Sequence, residues 1–101
     1  QKRELDLATL QRCGIIVTDS LEQAHTEAGD FIVPAHQGLF DWERVYELCD
    51  ISGNRGPMRE SPQDITLYKG LGMALEDVIV AAHVYHQARK MAVGDEITLV
   101  N

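Results

Sequence analysis

Three things are scarce in this 101-residue sequence: cysteine, long apolar runs and positive charge. Each shortage removes a class of function. The two cysteines, Cys13 and Cys49, are widely separated and lack C-x-x-C spacing, so they form no redox motif. No apolar run approaches the roughly 18 residues that a membrane span needs, so a membrane is not an expected partner. Lys and Arg number 9 against 16 Asp and Glu, a formal charge of −7. A surface of that sign repels phosphate backbones, and the basic residues form no run, so nucleic acid is not an expected partner either. The sequence starts Gln-Lys-Arg-Glu-Leu-Asp, without initiator methionine or apolar leader. That start leads us to expect a processed or partial chain, and the charged composition with free thiols leads us to expect a cytoplasmic location.

Ready-made catalytic signatures are also missing. There is no G-x-x-x-x-G-K-[ST], no H-E-x-x-H, and no G-x-S-x-G around Ser20 or Ser61. His83 and His86 can share a helix face, but two histidines do not complete a zinc site, and His25 and His36 sit elsewhere. No metal is expected. Trp42, Tyr46, Tyr68 and Tyr85 are single aromatics at helix or strand spacing, not a stacking platform.

What remains is a chain 45% hydrophobic and 25% charged, which suits a folded soluble domain of at most one-domain size. Asp6 can cap a short helix from about Leu7 to Gly14. Ile15–Thr18 reads as a short buried strand. Ser20 can cap a helix that Gly29 stops, with Gln23 at the capping-box spacing. Phe31–Val33 reads as a second strand closed by Pro34. Asp41 can cap a helix over 42–53, with Trp42, Val45, Tyr46, Leu48 and Cys49 on its buried face. Residues 54–64 are a loop, and Ile65–Tyr68 is a third strand. A long helix from Gly72 to about Met91 has Glu76, His83, Gln87 and Lys90 as its polar stripe and is apolar elsewhere. Gly94–Val100 can add an edge strand. Such short alternating units predict an α/β fold. The breadth of the last helix's apolar face predicts packing partners beyond these 101 residues.

The passage from the third strand through Gly70-Leu71-Gly72 into that helix is the part most able to meet a ligand. Glycines there bring backbone close to a cofactor, and a helix N-terminus favours negative charge. The dinucleotide fingerprint is incomplete, because its third small residue would fall at Leu75. An ordinary tight turn explains the glycines as well. Lys69 can meet a phosphate or a carboxylate, or lie on the surface. Asp77, near the helix start, suits the helix dipole better than acid–base work.

Three segments together carry a resemblance: "KRELD" at 2–6, "IIVTDSLEQAHTEAGDFIVP" at 15–34 and "RESPQDITLYKGLGMALEDVIVAAHVYHQA" at 59–88. Over about residues 2–90 the chain resembles the carboxyl-terminal third of the ornithine cyclodeaminase/mu-crystallin family. That resemblance implies a two-domain subunit of roughly 300–350 residues, with a Rossmann-like NAD or NADP domain and a substrate domain that also forms a homodimer. Residues 1–71 would complete the nucleotide domain. Residues 72–101, the long helix and tail, would belong to the substrate and dimerisation domain. Lys2 matches a lysine that lines the cofactor or substrate cleft and is taken here as cofactor-binding. Gly70 and Leu71 match residues whose backbone approaches nicotinamide, and Leu71 also approaches substrate. Gly72 and Asp77 match an architectural motif. This chain has Tyr-Lys-Gly where relatives often carry a serine in place of Gly70, so contact there is through backbone. The aspartate expected to move protons would precede Gln1, so no catalytic residue is assigned within the chain. The implied chemistry is ornithine cyclodeamination, or alternatively imine reduction or alanine dehydrogenation, on a small amino acid or imine. A non-enzymatic ligand-binding protein of the mu-crystallin type is the remaining alternative.

Overall fold

The computed structural model describes residues 2–99. Its contacts divide the chain into two compact units, Gln1–Leu71 and Gly72–Asn101.

In the first unit, α1 (Leu7–Arg12) starts where Asp6 accepts the Thr9 amide at 2.8 Å. Strand β1 (Ile15–Thr18) follows, then α2 (Leu21–Glu27), whose cap Ser20 accepts the Gln23 amide at 3.2 Å. Next come α3 (Gly29–His36), a 3-10 turn at Trp42–Arg44, β2 (Val45–Glu47), α4 (Leu48–Ser52) and β3 (Thr66–Lys69). The strands form a parallel sheet ordered β2-β1-β3, with Ile16 opposite both Val45 and Leu67 and Thr18 opposite both Glu47 and Lys69. Parallel strands need crossovers, and the helices between them supply these. Ile16, Val45 and Leu67 occupy one face, as the period of two requires, and pack with Leu10, Ala24, Ala28, Phe31 and Phe40. Phe31 and Phe40 stack at 5.2 Å between ring centres, and Trp42 meets both edge-on. The opposite face carries Ile15, Val17, Thr66 and Tyr68. With Leu48, Ile51, Pro57 and Met58 these line an open, largely apolar groove of about 280 Å³.

Two expected elements are different here. Phe31–Val33 is not a strand but the middle of α3, which follows α2 after one residue and contains Pro34. Phe31 and Pro34 are fully buried, and Ile32 and Asp30 nearly so. A short apolar run buried on all sides has no periodicity that separates strand from helix. The helix expected over 42–53 is cut by β2. Val45 is buried against β1, while Leu48 and Cys49 are exposed, so these residues do not share one buried face. Ladder pairing with β1 overrides the local pattern. The third strand is displaced by one residue, to Thr66–Lys69.

In the second unit, α5 (Ala74–Met91) carries Glu76 and Asp77 in its first turn and Arg89 and Lys90 in its last, both favourable to the helix dipole. Its end is closed by Ala92 at φ 51° and by the Val93 amide on the Ala88 carbonyl at 3.0 Å. Arg89 pairs with Glu96 at 2.6 Å. The strand expected at Gly94–Val100 does not form over 94–99, and Val100 lies outside the described residues. No helix among the described residues is long and apolar enough to cross a membrane. Leu75, Val78, Ile79, Val80, Val84 and Tyr85 are each 58–65% exposed.

The stacked ring at the centre of the first unit sets its stability. Phe31→Ala is expected to cost about 3–5 kcal/mol, read as a lowered urea midpoint with unchanged slope.

Candidate functional site

In an open parallel sheet, ligands gather at the carboxyl ends of the strands. Here that edge is Thr18-Asp19 after β1 and Lys69-Gly70-Leu71 after β3. Two side-chain systems organise it.

The first is built around Asp30, which is 1% exposed at the start of α3. Its Oδ1 accepts the amides of Glu4 at 2.7 Å and Leu5 at 2.9 Å. Its Oδ2 meets Lys69 Nζ at 3.2 Å, as an ion pair rather than an aligned hydrogen bond. Lys69 also donates to Glu4 Oε2. Burial pushes the Asp30 carboxyl up, but the Leu5 and Glu4 amides and the Lys69 ammonium together outweigh it. The carboxyl therefore titrates below the usual carboxylate range. The Glu4 carboxylate is the main cause that holds Lys69 above the usual lysine value, against the opposing pull of burial. Of the roles open to Lys69 from sequence, the structure selects carboxylate pairing. Lys2 is exposed and lies two residues before Glu4, the first residue whose amide Asp30 holds.

The second system holds the turn after β3. Thr18, fully buried, donates its hydroxyl to the Lys69 carbonyl at 2.9 Å. Asp19 Oδ2 accepts the Leu71 amide at 2.7 Å, and its Oδ1 accepts the Ser20 amide at 3.1 Å. Leu71 packs its side chain on the core. With the amide and side chain both engaged, a ligand contact at Leu71 falls to its carbonyl. A Cβ at Gly70 would stand 3.3 Å from the Tyr68 ring, a tight approach. Gly72 has φ 87°, a conformation that L side chains rarely adopt, with open space around its Cβ position. Asp77 is in the first turn of α5, where the dipole favours a carboxylate.

Sequence reasoning assigns no role to Thr18, Asp19 or Asp30. A Thr-Asp pair closing a buried strand is the available signal, but its target lies about 50 residues downstream. Among the described residues, Glu47, Cys49 and Asp50 bring ligand-type atoms within 4.8 Å of one another. Glu47 already serves the fold there, accepting the Leu21 amide at 2.8 Å.

The Asp30 system makes stability fall in acid. A depressed folded-state value stabilises the protein above the unfolded carboxyl value, and that contribution is lost as pH falls through the folded one. Asp30→Asn is expected to lower stability at neutral pH and to flatten its decline below about pH 4, measured by urea unfolding across pH.

The sequence matches the ornithine cyclodeaminase/mu-crystallin family over residues 1–92. It is 35% identical over 96 residues to a Delta(1)-pyrroline-2-carboxylate reductase of Bacillus cereus, covering 94% of this chain and 30% of the relative. Among solved structures it is similar to Thermococcus litoralis Delta(1)-pyrroline-2-carboxylate reductase in complex with NADH and L-proline. The TM-score is 0.76 at 36% identity, over 94% of this chain and 29% of that one. An archaeal alanine dehydrogenase dimer with bound NAD matches with a TM-score of 0.69 at 34% identity, over 98% and 31% of the two chains. The chain thus spans about 30% of the length of these relatives. With its parallel α/β sheet and matched motifs, the chain belongs to the ornithine cyclodeaminase/mu-crystallin family.

Proposed function

We propose that this chain is the carboxyl-terminal third of an NAD(P)-dependent reductase whose substrate is a small cyclic imino acid of the pyrroline-2-carboxylate type. The observation that carries this reading is the held Gly70-Leu71 turn at the carboxyl edge of the sheet, in a fold similar to a reductase solved with NADH and L-proline. Reduction is favoured over ornithine cyclisation because five matched curated relatives are Delta(1)-pyrroline-2-carboxylate reductases, against one matched solved structure described as a probable ornithine cyclodeaminase. The likeness to alanine dehydrogenase supports a second reading, oxidation of an open-chain amino acid.

The residues present fit the nicotinamide end of the cofactor and not its pyrophosphate. Lys69 is already engaged by two carboxylates, so it presents no free cation to a phosphate. Gly70 offers its backbone N–H and carbonyl with no side chain of its own beside them, and the Tyr68 ring stands 3.3 Å from where a Cβ would lie. When bound, the cofactor supplies the hydride for the imine carbon. This chain's part is to hold the ring and exclude misorientation: Gly70 and Leu71 by backbone, Lys2 from its place two residues before Glu4. The proton for the imine nitrogen needs a donor from elsewhere in the subunit. Gly72 and Asp77 shape the passage into α5. Residues 1–71 complete the nucleotide domain, and 72–101 belong to the substrate and dimerisation domain of a homodimer. The exposed apolar side chains of α5 support that assignment, because a solvated helix rarely carries so many.

The full-length subunit is expected to oxidise NADH or NADPH on addition of pyrroline-2-carboxylate, followed by loss of the reduced cofactor's absorbance. Pyruvate with ammonia in the same assay tests the open-chain reading. Release of ammonia from ornithine with no net change in cofactor would overturn both in favour of cyclisation. The 101-residue chain alone is expected to turn over none of these.

A further inference from the structure

Thr18 and Asp19 follow one another at the end of β1, and both reach across to the segment leaving β3. Their two hydrogen bonds fix two successive peptide planes. The Lys69 carbonyl points to the Thr18 hydroxyl at 2.9 Å, and the Leu71 amide points to Asp19 Oδ2 at 2.7 Å. No peptide bond among the described residues is cis. In a trans peptide the carbonyl and the following N–H point in opposite directions. The Gly70 N–H is therefore turned away from Thr18, and the Gly70 carbonyl away from Asp19. One glycine thus presents a donor and an acceptor on the side away from β1. That adjacent pair is complementary to a primary carboxamide, which offers an acceptor oxygen and a donor NH₂.

Helix capping does not explain Asp19. Ser20 is the cap of α2, and its own hydroxyl accepts the Gln23 amide. Asp19 instead uses its second oxygen on a residue 52 positions away. A carboxylate bound to a backbone amide makes a stronger bond than a neutral acceptor would, and the Ser20 amide holds its other oxygen in place.

We propose that Asp19, assisted by Thr18, is a positioning residue that orients the Gly70 peptide groups toward the cofactor's carboxamide. This rests on the reductase reading above. Asp19 touches neither cofactor nor substrate in this scheme; it sets the angle at which the nicotinamide is held, and so the line of hydride transfer.

The test uses the full-length subunit with NADH and pyrroline-2-carboxylate. Asp19→Asn keeps the shape but turns an NH₂ or a weaker acceptor toward two amides. Ser20→Ala is the control, since it removes the α2 cap without touching Leu71. For Asp19→Asn, kcat is expected to fall about 100-fold, as for a misplaced reactant, with little change in imine KM. The isotope effect with NADH deuterated at the transferred position is expected to rise. Ser20→Ala is expected to lower Tm with kcat and isotope effect unchanged. Should Asp19→Asn fail to fold, Thr18→Val, which loses only the hydroxyl, is expected to show the same raised isotope effect. Variants that match wild type in kcat and isotope effect, or that change imine KM alone, would overturn the assignment. A wild-type subunit that neither binds NADH nor turns over would instead overturn the reductase reading, and the assignment with it.

Discussion

The buried carboxylate of Asp30 is the constraint on which the sheet edge depends. Stripping a carboxylate of water costs several kcal/mol unless partners replace the solvent, and here three groups do: two backbone amides and one ammonium. Those partners come from the beginning of the chain and from the end of β3. Satisfying one charge therefore fixes Glu4 and Leu5 beside the strand that leads into Gly70. The gain is in placement more than in stability, because an apolar replacement of the whole cluster would keep the fold without specifying where the leading segment lies.

Asp30 and Asp19 divide the work. Asp30 fixes which segments meet, through Glu4, Leu5 and Lys69. Asp19 and Thr18 fix how the backbone is turned where they meet. Both rely on rigid supports: Asp30 sits on a helix packed around Phe31, and Thr18 is fully buried at the end of a strand paired on both sides. A turn held this way is less free than its glycine content suggests. The conformational freedom of Gly70 is removed by its neighbours' hydrogen bonds, so the ordering is accomplished during folding and not when a ligand arrives.

Local chemistry is legible in the sequence, and long-range chemistry is not. The caps at Asp6 and Ser20 and strand Ile15–Thr18 follow from residues within four positions of one another. Gly53 at the end of α4 and the start of α5 near the glycines are equally local. Val45–Glu47 misleads because its strand state comes from β1, some 30 residues earlier, and α3 misleads because complete burial erases periodicity. Lys69 is legible as a charge beside the turn, but its partners Glu4 and Asp30 are not. Gly70 and Leu71 are reached through motif resemblance. The residues that hold them, Thr18 and Asp19, require the parallel register that brings Thr18 opposite Lys69.

That register also limits what the edge can bind. Lys69 is the natural candidate for an anion at the strand end, yet its ammonium already carries two carboxylates. A phosphate arriving there would have to displace Glu4, which is exposed, or Asp30, which is buried and cannot leave without abandoning two amides. Either exchange removes an existing ion pair to form another, so little net attraction remains. An uncharged amide group needs no such exchange, since it asks only for a donor and an acceptor. The neutralised lysine and the turned glycine are thus two consequences of one arrangement: Lys69 is spent on Glu4 and Asp30, and under the reading proposed above the edge offers shape and hydrogen bonding in place of a free charge.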